Sequence, residues 1–343
     1  GYGIMNKQDK KKEILEEETF MYEEKVKSEN RPQEKQINRL RPECLSCTCE
    51  KYLEKYPDNI SKAEKVEYMQ KVMALMANLP MTAAGPVVVR EIDRLRVKMF
   101  GKGDDYAAIK KHFNAVMMEK VPRFKQQIAS ADDPIKMALQ LSMIGNYIDF
   151  GVMKEVDEDK LNALLDQAVE KEIEEETYQQ LRKDLAKSKK LLFLTDNCGE
   201  IVLDKLLLEE IKMWYPKLSV TVMVRGGETL NDATREDAGQ VGMAEVAEVV
   251  DNGNDIAGTW LPEMAEEARA IFEEADVMIA KGQANFETLR CCGKNIYYLF
   301  LCKCHIFSDM FAVEPFSGML VNDRDARNRE ESSRIKAAER RRK

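Results

Sequence analysis

Histidine is nearly absent from this chain: His112 and His305 are the only two in 343 residues. That scarcity leaves no His-x-x-x-His pair of the kind many zinc sites use. Long apolar runs are missing too. The longest, "KKLLFLTD" and "NIYYLFLC", have the length of strands and fall short of the ~20 residues a membrane-spanning helix needs. The opening stretch "GYGIMNKQDKKKEILEEE" has no apolar signal-peptide core, so the expectation is a cytoplasmic protein with no membrane partner. An excess of positive charge is also lacking. A net charge of -8 and a pI near 5.3 argue against a nucleic-acid partner, and the basic cluster "RIKAAERRRK" reads as a solvated terminus.

Cysteine, by contrast, is present in number. Cys44, Cys47 and Cys49 fall in "ECLSCTCE", followed by Cys198, Cys291, Cys292, Cys302 and Cys304. Without a secretory signal these read as free thiols rather than as a disulfide framework. Cys44 and Cys47 could form half a zinc site completed by Cys302 and Cys304. Against this stand the helical setting of the first cluster, its distance along the chain from the second, and the lack of histidine partners.

The chain divides by its patterns. Residues 1–40 are almost half charged, with both signs mixed, and form a charged arm. Residues 41–188 read as helices throughout: "SKAEKVEYMQKVMALMANL", "GPVVVREIDRLRVKMF", "DDYAAIKKHFNAVMMEKVPRFKQQIAS", "DDPIKMALQLSMIGNYIDFG" and "DEDKLNALLDQAVEKE" place apolar residues three and four apart. From Lys189 to Asp323 the grammar changes. Apolar, β-rich runs at "LLFLTD", "SVTVMVRG", "AEVVDNG", "DVMIAKG", "NIYYLFL" and "GMLVND" are mostly separated by helical stretches such as "GEIVLDKLLLEEIKMWYP". Strands buried on both faces and alternating with helices specify an α/β fold, a Rossmann-like, doubly wound and mainly parallel sheet. An N-terminal all-helical domain precedes it, and residues 324–343 form a charged tail.

Ligands of such sheets bind at the carboxyl ends of the strands, and there the chemistry-bearing residues gather. The first strand delivers Asp196 and Asn197, the second leads through "RGGETLND" to Asn231 and Asp232, the fourth delivers Lys281, Gln283 and Asn285, and the fifth Lys303. Carboxylate and amide oxygens without histidine suit a hard cation such as Mg²⁺ or Mn²⁺, which retains waters and takes a phosphate oxygen. Lysines beside it would neutralise a phosphoryl group, and the main-chain N–H groups of the Gly282 turn could add anion donors. The alternative reading of each loop alone is a turn or helix cap, for which Asp and Asn are common.

In this order, "GNYIDFG", "DNCGE", "RGG" followed by "NDAT", and "KGQANFETL" resemble the signatures of the metal-dependent damage-control phosphatases, in the prokaryotic branch with an N-terminal Cys-x-x-Cys. The resemblance runs from about Arg41 to Asp323. It implies a helical domain on a Rossmann-like one and a divalent metal held by Asp196, Asn197 and Asp232. It also implies a phosphate loop over Gln283, Ala284, Asn285, Phe286 and Glu287, with Lys281 beside it and Lys303 at a late strand. Asn146 and Asp149 are expected to reach the same crevice, with a helix C-terminal turn closing on Gly151 as the alternative. Two positions depart from the family pattern: Ala284 stands where glycine is usual, and Cys198 where a small residue is usual.

The function this implies is hydrolysis of a small phosphorylated metabolite, a phosphosugar or a damaged phosphometabolite, with Mn²⁺ or Mg²⁺, or with Co²⁺ or Ni²⁺. Asp196, Asp232 and Lys281 are the catalytic candidates. An aspartyl-phosphate route of the haloacid-dehalogenase type would want a second Asp two residues after the nucleophile, where Cys198 stands, so metal-activated water is favoured. Two rival readings are an S-adenosylmethionine-dependent carboxyl methyltransferase and a non-enzymatic metabolite-binding module. The first lacks a Gly-x-Gly in the first loop. The sequence does not set the oligomeric state.

Overall fold

The structure, a computed structural model, describes residues 39–101, 105–146 and 173–326. Asp149, the helix expected over 157–172 and nearly all of both charged termini lie outside the described residues. Among the described residues, seven helices precede the sheet: α1 (Pro42–Tyr52), α2 (Lys62–Ala77), α3 (Gly85–Phe100), α4 (Ala107–Glu119), α5 (Val121–Ser130), α6 (Pro134–Gly145) and α7 (Glu175–Lys187). Their starts follow local chemistry. Ser61 and Glu64 form a reciprocal capping box on α2, Asp133 accepts from the Lys136 N–H at the head of α6, and proline occupies the first turn of α1, α3, α5 and α6. The segment read as one long helix over 104–130 is two, α4 and α5, meeting at Lys120 ahead of Pro122, because proline cannot donate to the preceding turn.

The sheet strands are β1 (Lys190–Leu194), β2 (Ser219–Val224), β3 (Glu248–Asp251), β4 (Val277–Lys281), β5 (Ile296–Leu301) and β6 (Gly318–Asn322). Between them lie α8 (Glu200–Trp214), α9 (Arg235–Gln240), α10 (Glu266–Glu274), α11 (Gly282–Leu289) and α12 (His305–Phe311). The strand order is β3-β2-β1-β4-β5-β6. All pairs are parallel except β5 with β6. Successive side chains of one strand serve opposite faces. Leu191, Phe193, Ile279, Tyr297 and Leu299 join one core with α6 and α8, whereas Leu192, Leu194, Met278, Tyr298 and Phe300 join a second with α10, α11 and α12. Burial on both faces is why these strands read as unbroken apolar runs.

The order reverses between β1 and β4, and crevices in open α/β sheets form at such a switch point. α6 closes one side of it. Gly145 packs so tightly on α8 that an added Cβ would lie 3.1 Å from both Glu200 and Leu203, and the Ser142 hydroxyl donates to Asp204 at 2.6 Å. Helices from the 41–188 stretch and the sheet therefore share one continuous core.

Candidate functional site

At the switch point β1 gives way to Asp196 and Asn197. The Asp196 carbonyl accepts the Ala233 N–H at 2.7 Å, and Asn197 forms an antiparallel bridge with Asp232. Two loops distant in sequence thus place both acids and the amide side by side. Asn231 is in the same strip, where its carbonyl accepts the Cys198 N–H at 2.8 Å, and its buried side-chain amide nitrogen has no partner among the described residues. Arg225, fully buried, donates Nε to Asp232 at 2.7 Å and Nη2 to the Thr195 carbonyl at 2.9 Å, while its Nη1 has no partner among the described residues.

Asn146, just past the end of α6, reaches this strip. Its Nδ2 donates to Asp196 Oδ2 at 2.7 Å and to Glu200 Oε2 at 3.1 Å, and its Oδ1 accepts the Leu301 N–H at 3.3 Å. Asn197 Nδ2 repeats the pattern, at 2.8 Å to Asp196 Oδ2 and 3.2 Å to Glu200 Oε2. Two amides therefore clamp the same pair of carboxylate oxygens.

Gly282 meets the clamp from the other side. It has φ +78°, and a Cβ there would fall 1.9 Å from Asp196 Oδ2, so glycine is required both by backbone and by space. It begins α11, whose first-turn N–H groups have no acceptor within the helix. That N-terminus therefore abuts the Asp196 carboxylate.

The expectation of a free ammonium at the end of β4 is corrected here. Lys281 is completely buried, with Nζ 2.5 Å from Glu200, 2.9 Å from Asp204 and 2.9 Å from the Ser142 carbonyl. Burial alone would lower its pKa, but Asp204 and Glu200 outweigh it, and the ammonium is held above its usual range. Its cause is the start of α8: Glu200 and Asp204 lie four residues apart, hence on one helix face, in a helix apolar enough to be buried on most sides.

The expected phosphate loop is the first turns of α11, and its side chains are turned to other tasks. Gln283 Oε1 accepts the N–H groups of Lys303 and Cys304 at 2.8 and 3.0 Å, which pins the loop after β5. Asn285 donates to the carbonyls of Thr195 and Lys281 at 2.9 and 2.7 Å. Phe286 lies in an aromatic cluster, stacked on Phe300 and edge-on to Tyr298 and Phe307. Glu287 accepts from Gln283 at 2.7 Å and sits against the start of α3 at Gly85. What this segment can offer an anion is main chain. Ala284 sits in a regular helical turn, so a glycine's extra freedom is not needed at that position. Lys303 is half-buried, and its charge acts on Asp196.

The electrostatics of the strip are lopsided. Burial first, then Glu200 and Asp232, push the Asp196 carboxyl well up, with Arg225 and Lys303 offsetting part of this. Asp232 is raised by burial despite Arg225. Buried Asp196, Glu200, Asp204 and Asp232 outnumber the cations that act on them, buried Arg225 and Lys281 and half-buried Lys303, so the strip keeps an excess of negative charge. Among the described residues no three His, Cys, Asp or Glu side chains form a ready-made metal shell. Two carboxylates and an amide oxygen, in a strip with excess negative charge, nevertheless fit Mg²⁺ or Mn²⁺, which use few protein ligands and complete their shell with water and phosphate.

The eight cysteines are free thiols. Cys44 and Cys304 lie within electrostatic reach of each other, so separation in sequence does not keep these two cysteines far apart in space.

The fold and this strand-end strip define the chain as an α/β protein with a cluster of buried acids at its topological switch point. Residues 40–316 match the damage-control phosphatase ARMT1-like domain, and the chain belongs to that family. Its relatives include a damage-control phosphatase of Archaeoglobus fulgidus, 37% identical over 216 residues and covering 62% of this chain and 74% of that one. Damage-control phosphatase PH1575 of Pyrococcus horikoshii is 29% identical over 274 residues, 76% of this chain and 90% of that one. The crystal structure of that P. horikoshii protein, described as a DUF89 family member, superposes with a TM-score of 0.68 at 25% identity, over 83% of this chain and 99% of that one. Neither the fold nor the family likeness singled out Glu200. Two acids four residues apart in an otherwise apolar helix, near a lysine that ends a buried strand, were the available signal.

Proposed function

We propose that this chain is a metal-dependent phosphatase acting on small phosphorylated metabolites, with Mn²⁺, Mg²⁺, Co²⁺ or Ni²⁺ as the metal. The observation that carries the reading is the juxtaposition, at one switch point, of a strip with excess negative charge and a helix N-terminus. The first suits a divalent cation and the second an anion. The names of its relatives support the same reaction class.

Asp196, Asn197 and Asp232 would hold the cation, which supplies polarisation of a phosphate oxygen and of phosphorus. The first-turn N–H groups of α11 bind the remaining phosphate oxygens, and Lys303 offsets their charge. Gln283 fixes the Lys303 loop in place. Asp196 or Asp232 orients the attacking water for in-line displacement. Lys281 has no direct part, because both its carboxylate partners lie inside the fold.

Hydrolysis of p-nitrophenyl phosphate and of a panel of phosphosugars, each with the four cations, tests this. Asp232→Asn keeps a hydrogen-bonding partner for buried Arg225, which alanine would leave bare, and is expected to abolish turnover while the protein stays folded. Full activity of that variant at saturating Mn²⁺ overturns the ligand assignment.

A further inference from the structure

Glu200 and Lys281 are buried completely, and the reaction just described gives neither a contact with substrate. Their connections nonetheless run directly to the proposed ligands. Lys281 Nζ holds Glu200 Oε1 at 2.5 Å. The other oxygen, Oε2, accepts from both Asn146 and Asn197. Those same amide nitrogens hold Asp196 Oδ2.

An asparagine side chain has one donor end and one acceptor end, and ionised carboxylates only accept. Facing Asp196 Oδ2 and Glu200 Oε2 together, Asn197 must turn its NH₂ inward, so its Oδ1 points away from them. A metal ligand needs that oxygen. The same contacts tie up Asp196 Oδ2, whereas the Asp196 Oδ1 contact with Arg225 is a looser 3.8 Å. Asp196 thus offers one particular oxygen.

We propose that Glu200, anchored by Lys281, is a positioning residue that fixes which ends of Asn197 and Asp196 face the cation. Asn146 is the second arm of the same device, brought from the end of α6. Asp204 and Ser142 complete the anchorage, since Lys281 bonds Asp204 and the Ser142 carbonyl as well. The inference rests on the phosphatase reading only in taking Asp196 and Asn197 as cation ligands.

Glu200→Gln tests it, because Gln has nearly the same shape and leaves Lys281 paired with Asp204. It offers only one accepting oxygen, and its own NH₂ competes for the carboxylate of Asp196. Titration of the metal-free full-length protein with Mn²⁺, followed by electron paramagnetic resonance, should show ~10- to 100-fold weaker binding, the scale for losing a group that orients metal ligands. The melting temperature should change little, and saturating Mn²⁺ should restore most of kcat with KM unchanged. A folded Glu200→Gln protein with wild-type Mn²⁺ affinity overturns the proposal. If that variant does not fold, the charge-balanced Glu200→Gln/Lys281→Met protein is measured in the same way and judged by the same affinity criterion. Wild-type protein that binds Mn²⁺ but hydrolyses no phosphate ester would overturn the phosphatase reading and leave the positioning role standing. Wild-type protein that binds no Mn²⁺ overturns both.

Discussion

β4 and β5 are neighbouring parallel strands, each a buried apolar run followed by a lysine at the same edge of the sheet. In sequence, "VMIAK" and "IYYLFLCK" promise the same thing, a cation at the crevice. In the fold Lys281 is sealed between Glu200 and Asp204, whereas Lys303 stays half-buried where its charge reaches Asp196. The difference comes from what covers each strand end. α8 lays two acids over β4, and the loop after β5 is held instead through its backbone by Gln283. A lysine's task at a strand end is therefore set by the helix packed above it and not by the strand that carries it.

The largest expected effect that sharpens this comparison comes from Lys281→Met. Removing one partner from a buried ion pair leaves uncompensated charge and costs about 3–5 kcal/mol, so denaturant midpoint and melting temperature should fall steeply. A protein that melts like wild type but has lost turnover would return Lys281 to the phosphate and break the contrast. Next in size, Lys303→Met should lower kcat by ~10²-fold, the scale of one preorganised electrostatic partner, and leave melting almost unchanged. Loss of stability without loss of kcat would exchange the roles of the two lysines.

A smaller effect concerns Asp204. Burial first, with Glu200 adding and Lys281 opposing, pushes its carboxyl up to about 6. An acid whose folded pKa lies above its unfolded value binds protons more tightly in the folded state. Its contribution is therefore favourable at low pH and is lost as pH rises from the unfolded value of 3.8 to about 6. Denaturant unfolding of metal-free protein across that window should show a decline that Asp204→Asn reduces. A decline unchanged in Asp204→Asn would mean that Lys281 keeps Asp204 ionised throughout. The smallest effect is expected from Cys44→Ser with Cys47→Ser, which should cost ~1 kcal/mol or less and keep turnover per folded molecule. Stoichiometric zinc that disappears in this double variant together with activity would move the working centre from the strand ends to α1.

Much of the architecture was legible because its signals are local. The central strands β1, β4 and β5 had to be apolar on both faces, and the caps of α2 and α6 lie within three residues of the groups they satisfy. The convergence of "DN", "ND", "KGQAN" and the later lysine on one sheet edge followed from parallel strands ending together. Less legible was what each polar side chain does there. Gln283, Asn285 and Phe286 read as a phosphate loop, yet they brace the β5 loop, the end of β1 and the aromatic core, since side chains of a first helical turn pack against whichever segments pass beside them.

By itself the sequence determined the alternation of strands and helices, and with it the edge at which acids, amides and lysines would meet. Backbone periodicity and solvent exclusion act within a few residues and need no knowledge of distant partners. Only the tertiary structure decided that Asn146 would clamp Asp196 from 50 positions away, that Lys281 would turn inward, and that β6 would run antiparallel to β5. A buried charge or amide is settled by the nearest complementary group in space, and here that group comes from another element of the chain.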